Sequence, residues 1–473
     1  MTNPKLGSLE FKNEICQSMN VEISRKVAYL AKRKALSLVE GSVEEQFGKI
    51  RNYCAELIQT DRDATVILKL TEDEVRPRFQ RMYVCFSACG QLLSAVGLDP
   101  NNNIFPICYA LVEGETKDTW MWFLRLLAVD INLGNDCAWT FMSHKQKGLI
   151  PALDSLFPNA EHRFCVRHMH SNMKNDGYKS VAIKNALWDA AKATTVQEFR
   201  KRMQELKEID RNAYEWLAKK HENHWSKAFF STIPKCDILL NNMCECFNSL
   251  ILDAREKSII EMFEAIRNLL MRRFQLNREK AEKWNTRNYP RIRAILAKIS
   301  LEAAKLIPMK SDDMHFQIKA TSSQEQHTVD LSTNSCSCRQ WDLTGIPCKH
   351  ALCALWCKHE DVEAFVSHYY KNEACKKCYS RSIMSINGPD LWPDCVFPPP
   401  LPPAYNKNKA GRPAKLRRRE PDEPPAKCHT KLKAPHRQNK CKRCGHLGAV
   451  TTALTDLISD IAVAEFGFDL HLL

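Results

Sequence analysis

Four residues constrain this chain more than any others. Cys336 and Cys338 stand one residue apart, and nine residues later Cys348 and His350 repeat that spacing. On an extended chain, residues two apart face the same side, so Cys336 and Cys338 can point at one ion. Gly345 and Pro347 lie in the intervening segment and can turn it back, bringing Cys348 and His350 opposite. Three thiolates and one imidazole fill a tetrahedral zinc shell and leave no open position for a reacting water. The expected site is therefore a structural Zn2+ site. The alternative is four unconnected polar residues in a cysteine-rich chain.

The 21 cysteines are an odd number in a chain of 473 residues, which argues against a disulfide framework and for free thiols plus metal ligands. Cys375 and Cys378 form a CxxC, but no second pair lies at zinc-finger distance, so they read as ordinary thiols. Cys357 and His359 lie beyond the four-residue motif and read as surface helix residues. A chain of this length should split into several units. It has no apolar run long enough to cross a bilayer and no signal-like start, so no membrane role and an intracellular location are expected. The formal charge of +14 is concentrated: residues 406–443 hold 14 Lys and Arg against three acids.

The organisation follows from hydrophobic period. Residues 1–75 read as a helical N-terminal remnant. In its first helix Val27, Ala31, Ala35 and Leu38 recur on one face, with Lys26, Lys32, Arg33 and Lys34 opposite. A second opens on a Ser42/Glu45 capping box and turns Phe47, Ile50, Cys54 and Leu57 inward. A basic helix pair fits DNA binding or a plain solvated face.

From Phe79 to Arg167 short apolar strands alternate with helices, an α/β pattern. Residues 91–98 and 104–112 form an expected hairpin, 119–131 a Trp- and Leu-rich helix, and 138–142 and 162–166 further strands. Residues 169–306 are nearly all helical in period, including a helix capped by Ser258 and Glu261. A third unit starts near Asp312 with strands at 315–318 and 328–331, and a helix follows the metal motif. After Trp392 the chain turns Pro-rich and then basic, and residues 398–443 are expected to be disordered.

Two resemblances emerge from these residues. The CxCx9CxH spacing with its flanking hairpin and helix resembles the SWIM zinc finger. The segments Gly90–Gly97, Ala110–Glu115, Cys165–His168 and Asn241–Asn248 together resemble the Mutator-like element (MULE) transposase domain over about Phe79 to Trp284. That resemblance implies an α/β plus α chain: a degenerate RNase H-like (DDE transposase) domain with a helical insertion at 76–306, a SWIM finger at 312–361, and a basic tail at 396–447.

Such enzymes hold a pair of Mg2+ or Mn2+ ions between three carboxylates. Here the family's second Asp position, before Lys145-Gln146-Lys147-Gly148, is His144, a poor ligand for a hard ion. The strand that carries the first Asp is absent, since 86–89 runs straight into Gly90. Asp99 reads as a surface carboxylate in a turn. Glu245 alone stands at a family position, with a solvated helix residue as its plain alternative. Met82–Ser87 is expected to be recruited beside 91–98 as a replacement strand, with Cys85 or Ser87 in the place of the lost Asp. Cys165 and His168, characteristic of the family, fit a contact to DNA or to the insertion, and equally a strand-end thiol and a first-turn histidine.

In the tail, Gly411-Arg412-Pro413 with Lys407, Lys409, Lys415, Arg417, Arg418 and Arg419 is similar to an AT-hook, whose arginine enters a narrow A·T minor groove. A nuclear-localisation run has the same composition. Cys441, Cys444 and His446 resemble half of a zinc knuckle, for which Cys428, His429 or His436 are substitute ligands. The expected function is a transposase-derived, zinc-binding nuclear protein, non-catalytic and associated with DNA. An active cut-and-paste transposase is the first alternative, and a protein-interaction module or inert relic folded around its zinc site the second.

Overall fold

The computed structural model describes residues 8–19, 22–24, 26–31, 34, 41–61, 64–72, 76–84, 91–101, 103–143, 148–321, 323–403 and 469–472. Helix α1 is Ser8–Met19. Residues 26–31 are helical, but Val27 is 50% exposed while Ala28 is buried, so the face expected to be apolar is not the covered one. The Ser42/Glu45 capping box forms and starts α2 (Val43–Gly48). At Lys49 the chain breaks into α3 (Ile50–Thr60), which buries Ile50, Cys54 and Leu57 as their spacing predicts.

A seven-stranded sheet follows, built from β1 (Val66–Leu70), β2 (Phe79–Val84), β3 (Gln91–Leu98), β4 (Ile104–Val112), β5 (Thr140–Ser143), β6 (Glu161–Phe164) and β11 (Asp469–Leu472). Its order is β1-β2-β4-β3-β11-β5-β6. The β3/β4 hairpin has the bounds read from its alternation. Helices α4 (Lys117–Asp130) and α5 (Leu149–Leu156) accompany it; the core of Tyr83, Leu93, Trp120, Phe123, Leu127, Phe141 and Leu153 joins them to the strands. A second core joins the sheet to α3 and to two later helices through Tyr53, Met82, Tyr109, Phe247 and Phe263.

The expected replacement strand goes elsewhere. β2 pairs antiparallel with β4, Met82 opposite Leu111, so β4 separates it from β3. Its position follows from Arg81, which is buried and donates to Glu113 Oε1 at 2.6 Å and Asp118 Oδ2 at 2.8 Å, just beyond β4. Tyr83 adds a 2.5 Å bond to Asp130 at the end of α4. Cys85 and Ser87 lie outside the described residues. The place beside β3 is taken by β11, which runs antiparallel to β3 (Leu472 opposite Ala95) and parallel to β5 (Asp469 opposite Thr140, Leu472 opposite Ser143). By composition the chain up to Leu473 reads as an apolar helix, but 469–472 is this strand, because the gap between β3 and β5 offers unpaired backbone groups.

Asp99 is not a surface carboxylate. It is 2% exposed, and it accepts from Asn101 N, Asn103 N, Asn103 Nδ2 and, at 2.7 Å, Tyr379 Oη. Burial pushes its carboxyl above the ordinary range. It is an internal tie between the hairpin turn and a residue 280 positions later in the chain.

Helices α6 (Val166–Asn175), α7 (Val181–Lys192), α8 (Val196–Ile209) and α9 (Arg211–Ala218) form a helical segment, called the insertion below for its position between β6 and the helix that starts at Asn242, around Met173, Leu187, Met203, Leu206 and Trp225. The chain then returns through α10 (Asn242–Leu250), α11 (Ile259–Lys283) and α12 (Pro290–Ala303). Ser258 is the N-cap of α11, yet its hydroxyl makes no capping bond, so the expected capping box does not form; Ile259, Phe263, Ile266 and Leu270 are buried as read.

The last unit is a four-stranded sheet, β10-β9-β8-β7, with β7 (Leu306–Lys310), β8 (His315–Ala320), β9 (Gln326–Asp330) and β10 (Ser335–Cys336). It begins a strand earlier than expected, because β7 pairs with β8. Helices α13 (Gln340–Thr344) and α14 (Lys349–Cys357) close it. The start of the expected disordered tail is ordered: Leu401 bridges Arg78, with Leu401 N donating to Pro77 O at 2.8 Å and Phe79 N to Leu401 O at 2.9 Å, and Pro400 is buried. The segment pairs with the start of β2 where β4 no longer reaches, and Leu401 supplies the backbone donor that the flanking prolines lack.

Candidate metal centre and the surroundings of Glu245

β10 brings in Cys336, and the left-handed Arg339 (φ 60°) folds the chain back immediately after Cys338. α13 ends on Gly345 (φ 70°), where an added Cβ would stand 2.7 Å from the Ser367 side chain, so both conformation and space call for glycine. Cys348 is then the N-cap of α14, and its sulfur accepts from Ala351 N at 3.5 Å. His350 follows in the first turn, 3% exposed.

One ligand atom from each of Cys336, Cys338, Cys348 and His350 lies within 4.8 Å of every other. Cys336 Sγ is 3.6 Å and Cys348 Sγ 3.8 Å from His350 Nδ1. A tetrahedral zinc with its usual bond lengths separates a sulfur and a nitrogen ligand by about 3.6 Å, so the donor set fits Zn2+ with His350 binding through Nδ1. Hydrogen bonds from Cys336 and Cys338 lower the Cys348 thiol, and the same contacts raise that of Cys336, as expected of thiols crowded around one point. Cys357 is exposed and outside the cluster.

A second group, Glu325, His327 and His350, shares the imidazole. Sequence reading missed Glu325 and His327. The available signal was their two-residue spacing at the start of β9, which sets both on one face beside the motif.

The finger is tied to the helical insertion next to its ligands. Thr194 Oγ1 donates to Cys338 O at 2.7 Å. The Arg339 guanidinium donates to Thr194 O at 3.1 Å, Phe230 O at 2.9 Å and also to Ala228 O. Leu343 packs in the insertion core.

Glu245 lies in the first turn of α10 with its side chain 32% exposed. His168 Nε2 stands 3.5 Å from Glu245 Oε1, and Arg167 Nη1 3.9 Å from Oε2. The strand-to-helix turn into α6 places both residues: Cys165 is its buried N-cap and Val166 N donates to Leu239 O at 2.9 Å. Burial raises the Cys165 thiol. The Cys165/His168 pair is thus split, the thiol inside and the imidazole against Glu245, an association not read from the sequence. Among the described residues, clusters of three or more His, Cys, Asp or Glu at metal-binding distance occur only at the finger. His144, the tail residues Lys409, Arg412, Lys415, Arg417, Arg418 and Arg419, and the half knuckle at 441–446 lie outside the described residues.

Residues 78–172 match the family model of the MULE transposase domain, and residues 327–359 match that of the SWIM zinc finger. The chain carries a MULE transposase domain and a SWIM zinc finger. No curated protein matches it. The SWIM match spans nearly all of β9, the four converging side chains and α14, and the MULE match covers the sheet strands β2 to β6 together with Cys165 and His168. Glu245 falls beyond the matched MULE residues. No helix among the described residues is long and apolar enough to cross a membrane.

Proposed function

We propose that this chain is a transposase-derived zinc protein of the nucleus that associates with DNA, preferably A·T-rich, without cutting it. The observation that carries this reading is the neighbourhood of Glu245. A carboxylate that holds Mg2+ or Mn2+ for phosphoryl transfer works beside other carboxylates, whereas Glu245 faces an imidazole and a guanidinium. His144 at the family's second Asp position supports the same reading.

The sheet supports an RNase H-like ancestry: an antiparallel β3/β4 hairpin, then parallel β5 and β6, with β11 where the first-carboxylate strand would run. β11 does not restore the lost acid. Its Asp469 is level with Thr140, three residues or about 10 Å from the Ser143 end of β5 that leads to His144. Zn2+ at Cys336, Cys338, Cys348 and His350 has a structural role, since four protein ligands leave no site for a reacting water.

The test is DNA binding against salt concentration, comparing the full chain with a deletion of residues 406–443. Truncation at Pro403 would also remove β11 and confuse the result. Each phosphate contact contributes about 0.9 to the slope of log K against log salt, so the deletion should flatten it by several units. Absence of DNA binding by the full chain would favour the protein-interaction reading. Mg2+- or Mn2+-dependent strand transfer, abolished in Glu245→Gln, would instead establish the active transposase.

A further inference from the structure

The group Glu325, His327 and His350 has a chemistry that the four zinc ligands do not account for. His350 turns Nδ1 toward the sulfurs of Cys336 and Cys348, which leaves Nε2 pointing away from them. The ring is buried, and a buried ring N–H needs an acceptor. Glu325 Oε1 stands 3.7 Å from that Nε2. This exceeds a hydrogen bond by less than about 1 Å, a gap that a half-exposed carboxylate can close by rotating.

Glu325 is itself held. His327 Nε2 is 3.2 Å from the same oxygen, and Lys349 Nζ is 3.5 Å away. His327 Nδ1 lies 3.1 Å from Ser337 Oγ, and Ser337 stands between Cys336 and Cys338. The His327 and His350 rings also pack against each other at a tilt, with centroids 4.2 Å apart and planes 33° apart. A chain of polar contacts therefore runs from one pair of ligands to the other around the outside of the site.

We propose that Glu325 is a positioning residue that accepts the Nε2–H of His350 and so fixes the Nδ1-binding form of the imidazole for Zn2+, with His327 holding Glu325 in place. A carboxylate on the outer nitrogen sets the tautomer, orients the ring and makes the inner nitrogen a stronger donor. The competing assignment is a second metal ion at Glu325, His327 and His350. It would require the His350 ring to bridge two cations with no N–H left, and it would leave two of the three ligands partly exposed.

The inference rests on the zinc reading of the finger, and one experiment separates the two. Zinc stoichiometry and affinity are measured on the full-length chain by competition with a chromogenic chelator, for wild type, Glu325→Ala, Glu325→Gln and His327→Ala. Glu325→Ala should keep one zinc per finger but bind it about 10- to 100-fold more weakly. Glu325→Gln, whose amide oxygen still accepts the N–H, should recover most of that loss, and His327→Ala should fall between. The spectrum of the Co2+-loaded chain should keep its thiolate bands in all variants, which shows that the ligand set is unchanged.

Unchanged affinity in Glu325→Ala, with normal wild-type binding, overturns this assignment alone. Two zinc ions per wild-type finger, falling to one in both alanine variants, overturns it in favour of the second metal. A wild-type chain that binds no zinc overturns the zinc reading and this assignment with it.

Discussion

Cys348 is a ligand candidate and also the N-cap of α14, so its loss acts on the metal and the helix together. Cys348→Ser keeps an N-cap oxygen but removes a thiolate, and it should abolish stoichiometric zinc binding by elemental analysis and lower the thermal midpoint of the finger. Cys357→Ser, at an exposed position outside the cluster, should change neither. His162 is the second informative residue. It is buried with Nε2 2.8 Å from Ser143 Oγ, and burial lowers its pKa to about 3. Its folded pKa lies below the ordinary histidine value of about 6.5, so the unfolded chain binds the extra proton between them. Its contribution to stability is whole above about pH 6.5 and is lost as pH falls toward 3, at about 1.4 kcal/mol per pH unit. Denaturant unfolding of His162→Gln at a series of pH values should show a shallower acid loss than wild type by that slope.

Among elements, β11 and the segment around Arg339 have effects larger than their size. Deleting residues 469–472 would strip hydrogen-bond partners from the facing edges of β3 and β5 in the middle of the sheet. Each buried group left unpaired costs about 1–3 kcal/mol, so the deletion should lower stability in urea by more than about 2 kcal/mol and promote self-association through the opened edges. An unchanged midpoint would mean that the slot is not occupied by this strand in solution. Arg339 donates to carbonyls from two turns of the insertion. Arg339→Ala should cost about 1.5–3 kcal/mol in the same assay, and Arg339→Lys should recover little, because a single ammonium cannot match the fork of a guanidinium.

In the molecule as a whole, zinc binding and the insertion are linked through a few backbone contacts. Cys338 O accepts from Thr194, and Arg339 follows directly in the chain. Removing zinc releases the loop that carries both contacts. Chelation should therefore raise hydrogen exchange not only in β9, β10 and α14 but also around Thr194, between α7 and α8, while the β3/β4 hairpin stays protected. Exchange confined to the finger would show that the two parts are uncoupled.

Local information was legible where one physical rule acted alone. Alternation set the β3/β4 hairpin, a capping box started α2, and the CxCx9CxH spacing brought four donors together, because each depends on residues close in sequence. The tertiary structure decided what depends on competition between distant segments. β2 has the composition of a core strand, but acids distant in the chain, Glu113 and Asp118 on Arg81 and Asp130 on Tyr83, help to hold it beside β4. β11 takes the slot beside β3 because that slot offers unpaired backbone groups, a property of the sheet and not of the residues that fill it. Asp99 looked like a surface turn residue until Tyr379 arrived to bury it. The pairing of His168 with Glu245 likewise required α6 and α10 to meet. The sequence by itself determined which side chains can bind a metal or carry a strand; the fold determined which of them meet, because burial and pairing energies belong to contacts between segments.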